Sequence, residues 1–141
     1  VVLLTRNPIS EAIETIARTA GRDVVLLEED EAGAAVAALR EVGLGVGDAV
    51  VLCDHDAPDA PVVLRAALTS PAAYVAMMAS RRRSEGLLAE LRAEEVPGLE
   101  KLHVPAGLNI GGKAPGEIAL SVVAEIVADG YDRPGGPMRE G

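Results

Sequence analysis

The chain has 141 residues, of which 49% are hydrophobic, and this suits one domain with a core of its own. Its formal net charge of −9 argues against a nucleic-acid partner, because neutralising phosphates requires a basic face. A single cysteine excludes an internal disulfide framework and predicts a reducing, cytoplasmic location. No apolar run reaches the roughly eighteen residues of a membrane span, and the chain does not start with the basic leader of a signal peptide.

Short apolar runs alternate along the chain with longer segments that have helical spacing. The runs predict strands, buried on both faces, at residues 1–5, 24–27, 48–53, 72–78 and 102–104. The segments between them predict helices at residues 9–20, 31–42, 62–68, 80–95 and 115–129. Ser10 is the predicted N-cap of the first helix. Residues 1–129 therefore form one predicted domain, and the Pro/Gly-rich residues 130–141 are a predicted flexible tail.

Regular alternation of strands and helices predicts the class of fold. It indicates an α/β protein with a three-layer αβα, Rossmann-like fold and a five-stranded parallel sheet, connected by right-handed crossovers. Ligands of such sheets bind beyond the carboxyl ends of the strands, at the switch point. We expect four loops to converge there, namely residues 6–10, 54–59, 79–83 and 105–114.

The loop after the first strand lacks the glycines of a dinucleotide-binding turn. Its sequence, from Thr5 to Ser10, is TRNPIS. Without glycine the backbone cannot close against a pyrophosphate, so we do not expect NAD(P) or FAD to bind. Glu28 lies where a ribose-binding carboxylate would lie, but alone it is interpreted as a solvated charge at the end of a strand.

The loop after the third strand carries the chain's only cysteine and several acidic side chains. Cys53 lies in an apolar strand and is interpreted as a small hydrophobic residue rather than a nucleophile. Asp54, His55, Asp56 and Asp59 could hold a hard cation, but they lack the glycine and glutamate of a calcium loop. One cysteine and two histidines cannot complete a closed zinc site, and no catalytic triad is visible. We therefore predict no metal ligands and no catalytic residues.

Ser80 is followed by three arginines, residues 81–83, in the first turn of a predicted helix. This is the end of a helix at which the dipole disfavours positive charge. In an acidic chain the cluster indicates an anion site, because guanidinium groups match phosphate geometry. The alternative is that the arginines pair with Glu28, Glu85 or the acidic residues around Asp54 and only hold loops together.

A glycine-rich loop containing Asn109, Gly111 and Gly112 precedes the last helix, with Pro115 at its first position and Glu117 in its first turn. Such a loop before a helix N-terminus can bind an anion or a phosphate. The alternative is a tight connection between strand and helix that binds nothing.

Residues 52–128 resemble the C-terminal, Rossmann-type domain of the xanthine dehydrogenase accessory factor (XdhC/CoxI) family. The resemblance covers a little over half of the chain, with the motifs in the family's order. The matching segments are DHD at residues 54–56 with Asp59, ALTSPAAYV at 67–75, SRR at 80–82, HVPAGLNIG at 103–111, and the helix start at 115–126.

The resemblance implies an accessory, cofactor-binding protein rather than an enzyme. Members of the family are associated with binding the molybdenum cofactor (molybdopterin), assisting its sulfuration and delivering it to a molybdenum hydroxylase apo-enzyme, of the xanthine or carbon monoxide dehydrogenase type. It implies that arginines and glycine-loop amides hold the pterin phosphate, while polar side chains read the pterin or dinucleotide edges. The candidate cofactor-binding residues are Asp54, His55, Asp56, Ser80, Arg81, Arg82, Gly107, Asn109, Gly111 and Gly112. A homodimer is a further expectation.

The chain departs from the family pattern at several positions. Residues 6–8 replace a glycine-rich turn, Ala76 and Ala79 replace glycines before the arginines, Asn109 replaces an aspartate, and Ala114 replaces a capping threonine. Two other functions therefore stay open beside the accessory role. One is a diverged NAD(P)-binding oxidoreductase domain, and the other is a degenerate, non-catalytic Rossmann-fold interaction module.

Overall fold

The computed structural model describes residues 1–28, 32–54, 56 and 60–141. Within these residues five strands alternate with five α-helices, as the sequence predicts. The strands are β1 Val2–Leu4, β2 Val25–Leu27, β3 Ala49–Leu52, β4 Tyr74–Met77 and β5 Leu102–His103. The helices are α1 Pro8–Thr19, α2 Ala32–Val42, α3 Ala60–Thr69, α4 Arg81–Ala93 and α5 Pro115–Gly130. Short 3-10 turns lie at Leu99–Lys101 and Met138–Glu140.

The strands form one parallel sheet in the order β2-β1-β3-β4-β5. Leu3 of β1 lies opposite Leu26 on one side and Val51 on the other, so β1 is paired along both of its edges. At the far side of the sheet, Ala76 of β4 lies opposite His103 of β5. The predicted five-stranded parallel sheet with a Rossmann-like α/β fold is confirmed.

Both faces of the sheet are covered by helices, which explains why the strand sequences are continuously apolar. Val2 and Leu4 point to a core shared with α2, α3 and α4. Leu3, between them, points to a second core shared with α1 and α5. The helices that follow the neighbouring strands β1 and β3 therefore lie on opposite faces of the sheet, α1 in the second core and α3 in the first. The position between β1 and β3 is the switch point of the sheet.

The start of α1 corrects the predicted cap. Asn7, not Ser10, is the N-cap, and its Oδ1 accepts the Ser10 N–H at 2.9 Å. Ser10 Oγ in turn accepts the Asn7 N–H at 2.8 Å, which completes a capping box. The physical reason is Pro8: its fixed φ and missing N–H suit the first helical position, so the cap falls one residue earlier, on Asn7.

The C-terminal tail runs along the outside of the domain. Its residues are exposed, and Gly135 packs so closely that a Cβ there would lie 2.9 Å from Leu108 Cδ1. The flexibility of residues 130–141 stays a prediction. No helix in the described ranges is both long and apolar enough to cross a membrane.

Candidate functional site

The loops that follow β1, β3, β4 and β5 meet at the carboxyl edge of the sheet, and direct hydrogen bonds join them. Asn7 Nδ2 donates to the carbonyl oxygen of Cys53 at 3.0 Å, across the switch point between β1 and β3. The Ala106 N–H donates to the carbonyl oxygen of Met77 at 3.3 Å, which ties the glycine loop to the end of β4. The candidate residues after β3, β4 and β5 therefore lie along one edge.

Ser80 begins the arginine turn as the N-cap of α4, and its Oγ accepts the Arg83 N–H at 3.2 Å. Arg83 Nη1 lies 3.0 Å from Asp56 Oδ1, so the third arginine adopts the structural role that the sequence left open. Arg81 and Arg82 are exposed and form no ion pair within the described part of the chain. Both guanidinium groups therefore remain available for an anion.

Gly107, at the start of the glycine loop, has a structural reason to be glycine. Its φ of +102° is left-handed, and a Cβ there would lie 2.4 Å from Ser121 Oγ. The Gly107 N–H donates to Glu125 Oε1 at 3.0 Å, and the Leu108 N–H donates to the Ser121 carbonyl oxygen at 3.2 Å. Two consecutive amides of the loop are thus bonded to α5 rather than pointed at open solvent.

The N-terminus of α5 already has a carboxylate beside it. Glu117 Oε1 accepts the Ala114 N–H at 3.2 Å, and this bond compensates for the missing side-chain cap at Ala114. A Cβ at Gly112 would lie 2.5 Å from the Glu117 Cβ, so the Glu117 side chain leaves no room for a larger residue at position 112. Gly111, at φ +84°, has open space around its Cα, and Asn109 is exposed. An anion at this helix end would lie beside the negative charge of Glu117.

The acidic loop after β3 is described only in part. Asp54 is half-buried, and its Oδ1 accepts the Asp56 N–H at 2.9 Å in a local turn. His55 and Asp59 lie outside the described residues. Among the residues that are described, no group of three or more histidine, cysteine, aspartate or glutamate side chains is placed to hold a metal ion.

Cys53 lies at the end of β3, 5% exposed, among the apolar residues between the sheet and α1 and α5. Burial, with a smaller contribution from Asp54, raises the pKa of its thiol to about 12. A thiol of this kind is a poor nucleophile near neutral pH. This accords with its interpretation as a small hydrophobic residue.

A polar cluster that the sequence did not predict lies under α5. Tyr74 donates its hydroxyl hydrogen to Glu125 Oε1 at 2.6 Å, and its ring stacks on His103 with centroids 4.4 Å apart. His103 Nδ1 lies 3.5 Å from the same Glu125 oxygen, and His103 Nε2 lies 3.8 Å from Asp129 Oδ1. The signal in the sequence is Glu125 itself, a carboxylate at helical spacing on the apolar face of α5.

The electrostatics of this cluster favour an ionised pair. The Glu125 carboxylate raises the pKa of His103, against the effect of burial. Burial opposes the charge of Glu125, yet His103, Tyr74 and the Gly107 amide together hold the pKa of that carboxyl below its usual value. Burial and the neighbouring carboxylate raise the pKa of Tyr74, so its hydroxyl stays a donor. Glu125 is therefore a charged acceptor bonded to three parts of the fold.

Comparison with known proteins agrees with this architecture. The family model described as the XdhC Rossmann domain matches residues 1–126. A solved structure, a xanthine dehydrogenase from Bacillus halodurans, has a TM-score of 0.73 and 20% identity, and the match covers 94% of this chain and 42% of that one. At that identity the likeness shows the fold alone.

A protein of Escherichia coli (strain K12), the uncharacterized protein YqeB, is 41% identical over 73 residues, which are 50% of this chain and 14% of that protein. The chain thus spans less than half the length of either relative. The family resemblance of residues 52–128 is confirmed and extends to the N-terminal strands and helices. The chain belongs to the XdhC Rossmann domain family.

Proposed function

We propose that this domain binds the molybdenum cofactor, or a related nucleotide, as part of an accessory protein that matures a molybdenum hydroxylase of the xanthine or carbon monoxide dehydrogenase type. In this role the protein carries a cofactor and turns over no substrate of its own. The observation that carries the proposal is the family match over residues 1–126, which includes both the arginine turn and the glycine loop.

The arginine turn supports binding of a phosphate. Arg81 and Arg82 are exposed in the first turn of α4, beside the loops that follow β3 and β5. They have no ion pair among the described residues, in a chain whose net charge is −9. Guanidinium groups bind phosphate oxygens bidentately, and an anion here would also offset the unfavourable helix dipole. A pterin phosphate fits this chemistry.

The rest of the edge refines where such a ligand would lie. Because Glu117 already occupies the N-terminus of α5, we place the phosphate at the arginine turn and not at Gly112. Asn109 is exposed and a Cβ on Gly111 would meet open space, so both remain accessible in the loop that follows β5. Asp54, half-buried, offers a carboxylate, which suits the ring N–H donors of a pterin.

The alternative of a dinucleotide-dependent oxidoreductase has less support. Asn7 stands where such a fold would have its first glycine turn, and its side chain is bonded to Cys53 across the switch point. A pyrophosphate at this position would have to break that bond and uncap α1. Measurable quenching or enhancement of NAD(P)H fluorescence by the protein would nevertheless favour this alternative.

The proposal is tested by loading the chain anaerobically with molybdenum cofactor released from a denatured molybdenum hydroxylase. The pterin retained after gel filtration is then oxidised and measured by fluorescence. Arg81→Ala combined with Arg82→Ala should lower retention by about tenfold or more, because two charge-assisted contacts are lost. The matched control is Arg92→Ala with Arg139→Ala, which removes the same charge from exposed positions outside the candidate site. It should retain the pterin.

Two results would overturn the proposal. The first is a wild-type chain that retains no pterin under these conditions. The second is equal loss of pterin in the control and in the Arg81 and Arg82 variant, which would indicate unspecific attraction of an anion. Co-purification with a molybdenum hydroxylase apo-enzyme tests the partner separately, and gel filtration tests the expected homodimer.

A further inference from the structure

One oxygen atom on α5 collects hydrogen-bond donors from three other parts of the fold. Glu125 Oε1 lies 2.6 Å from the Tyr74 hydroxyl of β4, 3.0 Å from the Gly107 amide and 3.5 Å from His103 Nδ1 of β5. The Glu125 side chain is 17% exposed, so these contacts stand largely in place of water. Buried carboxylates are retained only where such partners compensate for lost hydration.

The glycine loop depends on this oxygen for its shape. Gly107 has a left-handed φ of +102°, and its amide finds its acceptor in Glu125. The next amide, Leu108 N–H, bonds to the Ser121 carbonyl oxygen, four residues earlier on α5. Residues four apart lie on the same face of a helix. The loop is thus held at two adjacent points by one face of α5.

We propose that Glu125 is the positioning residue of the glycine loop, fixing residues 107–112 in the conformation that the candidate site uses, with Tyr74 and His103 holding the carboxylate in place. The role in ligand binding rests on the proposed function, whereas the role in loop conformation can be measured without any ligand. Glu125 does not touch the ligand in this scheme. It acts through the Gly107 amide.

The chemistry of the cluster predicts a graded series of substitutions. Glu125→Ala leaves the Gly107 N–H and the Tyr74 hydroxyl without an acceptor and His103 without its ion pair. Glu125→Gln keeps an acceptor oxygen of the same length but removes the charge. Tyr74→Phe removes one donor and leaves the loop bond intact. Disorder of residues 107–112 should therefore be greatest in Glu125→Ala, smaller in Glu125→Gln and smallest in Tyr74→Phe.

Protonation of the Glu125 carboxylate should have the same effect on the loop as the substitution Glu125→Gln. The titratable groups that act on Glu125 from the described residues are His103 from β5 and Tyr74 from β4, and Asp129 of α5 acts on both of these partners. Because these contacts hold the pKa of Glu125 below its usual value, the loop should stay ordered to lower pH than an ordinary glutamate would allow.

Amide hydrogen exchange on the full chain, followed by NMR, tests the positioning role. Glu125→Ala should accelerate exchange at Gly107 and Leu108 on the order of 10- to 100-fold relative to the wild type. Glu125→Gln should recover most of the protection that Glu125→Ala loses, because the amide keeps an acceptor oxygen. The control is Asp129→Asn, one turn further along α5, which faces His103 but makes no bond to the loop. It should change exchange in residues 107–112 far less than Glu125→Ala does.

Unchanged loop exchange in a folded Glu125→Ala protein would overturn the inference. If that variant does not fold, the wild type measured as a function of pH decides instead. Its loop exchange relative to that of Glu125→Gln should rise as the pH falls through the depressed pKa of Glu125, and a ratio that does not change with pH would be equally fatal. Retention of molybdenum cofactor, measured as above, should fall in Glu125→Ala although Arg81 and Arg82 are intact. Faster exchange with undiminished retention would overturn the link to the ligand. A wild type that retains no cofactor would refute the proposed function and leave the exchange result standing.

Discussion

Arg83 Nη1 lies 3.0 Å from Asp56 Oδ1, and this ion pair joins the first turn of α4 to the loop that follows β3. The contact divides the arginine cluster into two kinds of residue. Arg83 holds two loops together, whereas Arg81 and Arg82 extend from the same turn into solvent. A cluster that looks uniform in the sequence therefore combines a structural contact with a candidate binding surface.

Removing the structural arginine should have a small effect on stability. The side chains of Arg83 and Asp56 are 61% and 69% exposed, so water screens their attraction. We expect Arg83→Ala to lower the free energy of unfolding by less than about 1 kcal/mol, with the loss shrinking at high salt. Urea denaturation at two salt concentrations measures this, and Arg82→Ala is the control. A salt-independent loss above about 2 kcal/mol would mean that Arg83 has a packing role.

Replacing Thr5 with glycine should stabilise the folded protein. It follows β1 with a φ of +78°, a left-handed conformation that a β-branched residue adopts only at a cost. Because glycine removes that steric cost but adds entropy to the unfolded chain, Thr5→Gly should raise the free energy of unfolding by about 1 kcal/mol. Thermal denaturation checks the change. Thr15→Gly, within α1, is the opposite control and should destabilise by a similar amount. A destabilised Thr5→Gly would contradict the expectation.

His103 should make stability depend on pH. Glu125 raises the pKa of His103 above its ordinary 6.5, so the fold favours the protonated ring. The resulting stability is complete below 6.5 and is lost as the pH rises through the higher folded value. At acid pH the sign reverses: the pKa of Glu125 is below 4.5, so its contribution is present above 4.5 and disappears as the pH falls through the depressed value.

An NMR titration of the histidine ring, with urea denaturation between about pH 2 and 9, measures both effects. The His103 signal is assigned with the variant His103→Asn, which should lose the decline in stability above 6.5. Glu125→Gln should bring the pKa of His103 back toward its ordinary value. A wild-type His103 that titrates at or below 6.5 would show that the pair with Glu125 does not form.

Cys53 should resist thiol reagents in the folded protein. Its thiol is buried, and burial raises the pKa of the thiol to about 12. Near pH 8 the thiolate fraction is therefore far lower than in the unfolded chain. Labelling with a chromogenic disulfide should be slow in buffer and fast in urea. Rapid labelling without denaturant would indicate that the end of β3 opens easily.

The sheet could be predicted because its strands are buried on both faces. Runs such as Val50 to Leu52 have no polar residue to mark a solvent face, and in alternation with helices this is typical of a parallel sheet. The ends of the elements were less predictable. Cys53 is apolar and buried, so composition assigns it to the strand, although the ladder ends at Leu52. The Cys53 N–H still donates to the Leu4 carbonyl oxygen at 3.1 Å, so the exact last residue of β3 cannot be read from hydrophobicity.

The candidate edge could be predicted only in part. Its composition marked the arginine turn and the glycine loop, because charge and glycine are local features. The contacts between residues distant in the sequence could not be predicted. Tyr74 and Glu125 are 51 positions apart, and they meet only because α5 crosses back over β4 and β5. By contrast, the bond from the Ala114 N–H to Glu117 follows the local spacing of a capping box. No spacing rule in the sequence encodes the contact between Tyr74 and Glu125.

Asn7 links two neighbouring elements through a single amide group. Its oxygen caps α1 at the Ser10 N–H, and its nitrogen bonds to the Cys53 carbonyl at the end of β3. Rotating that side chain away would break both bonds together, so transient opening of the first helical turn and fraying of the central strand should share one free energy. Motion of the loop that follows β1 is thereby coupled to local opening of the central strand β3.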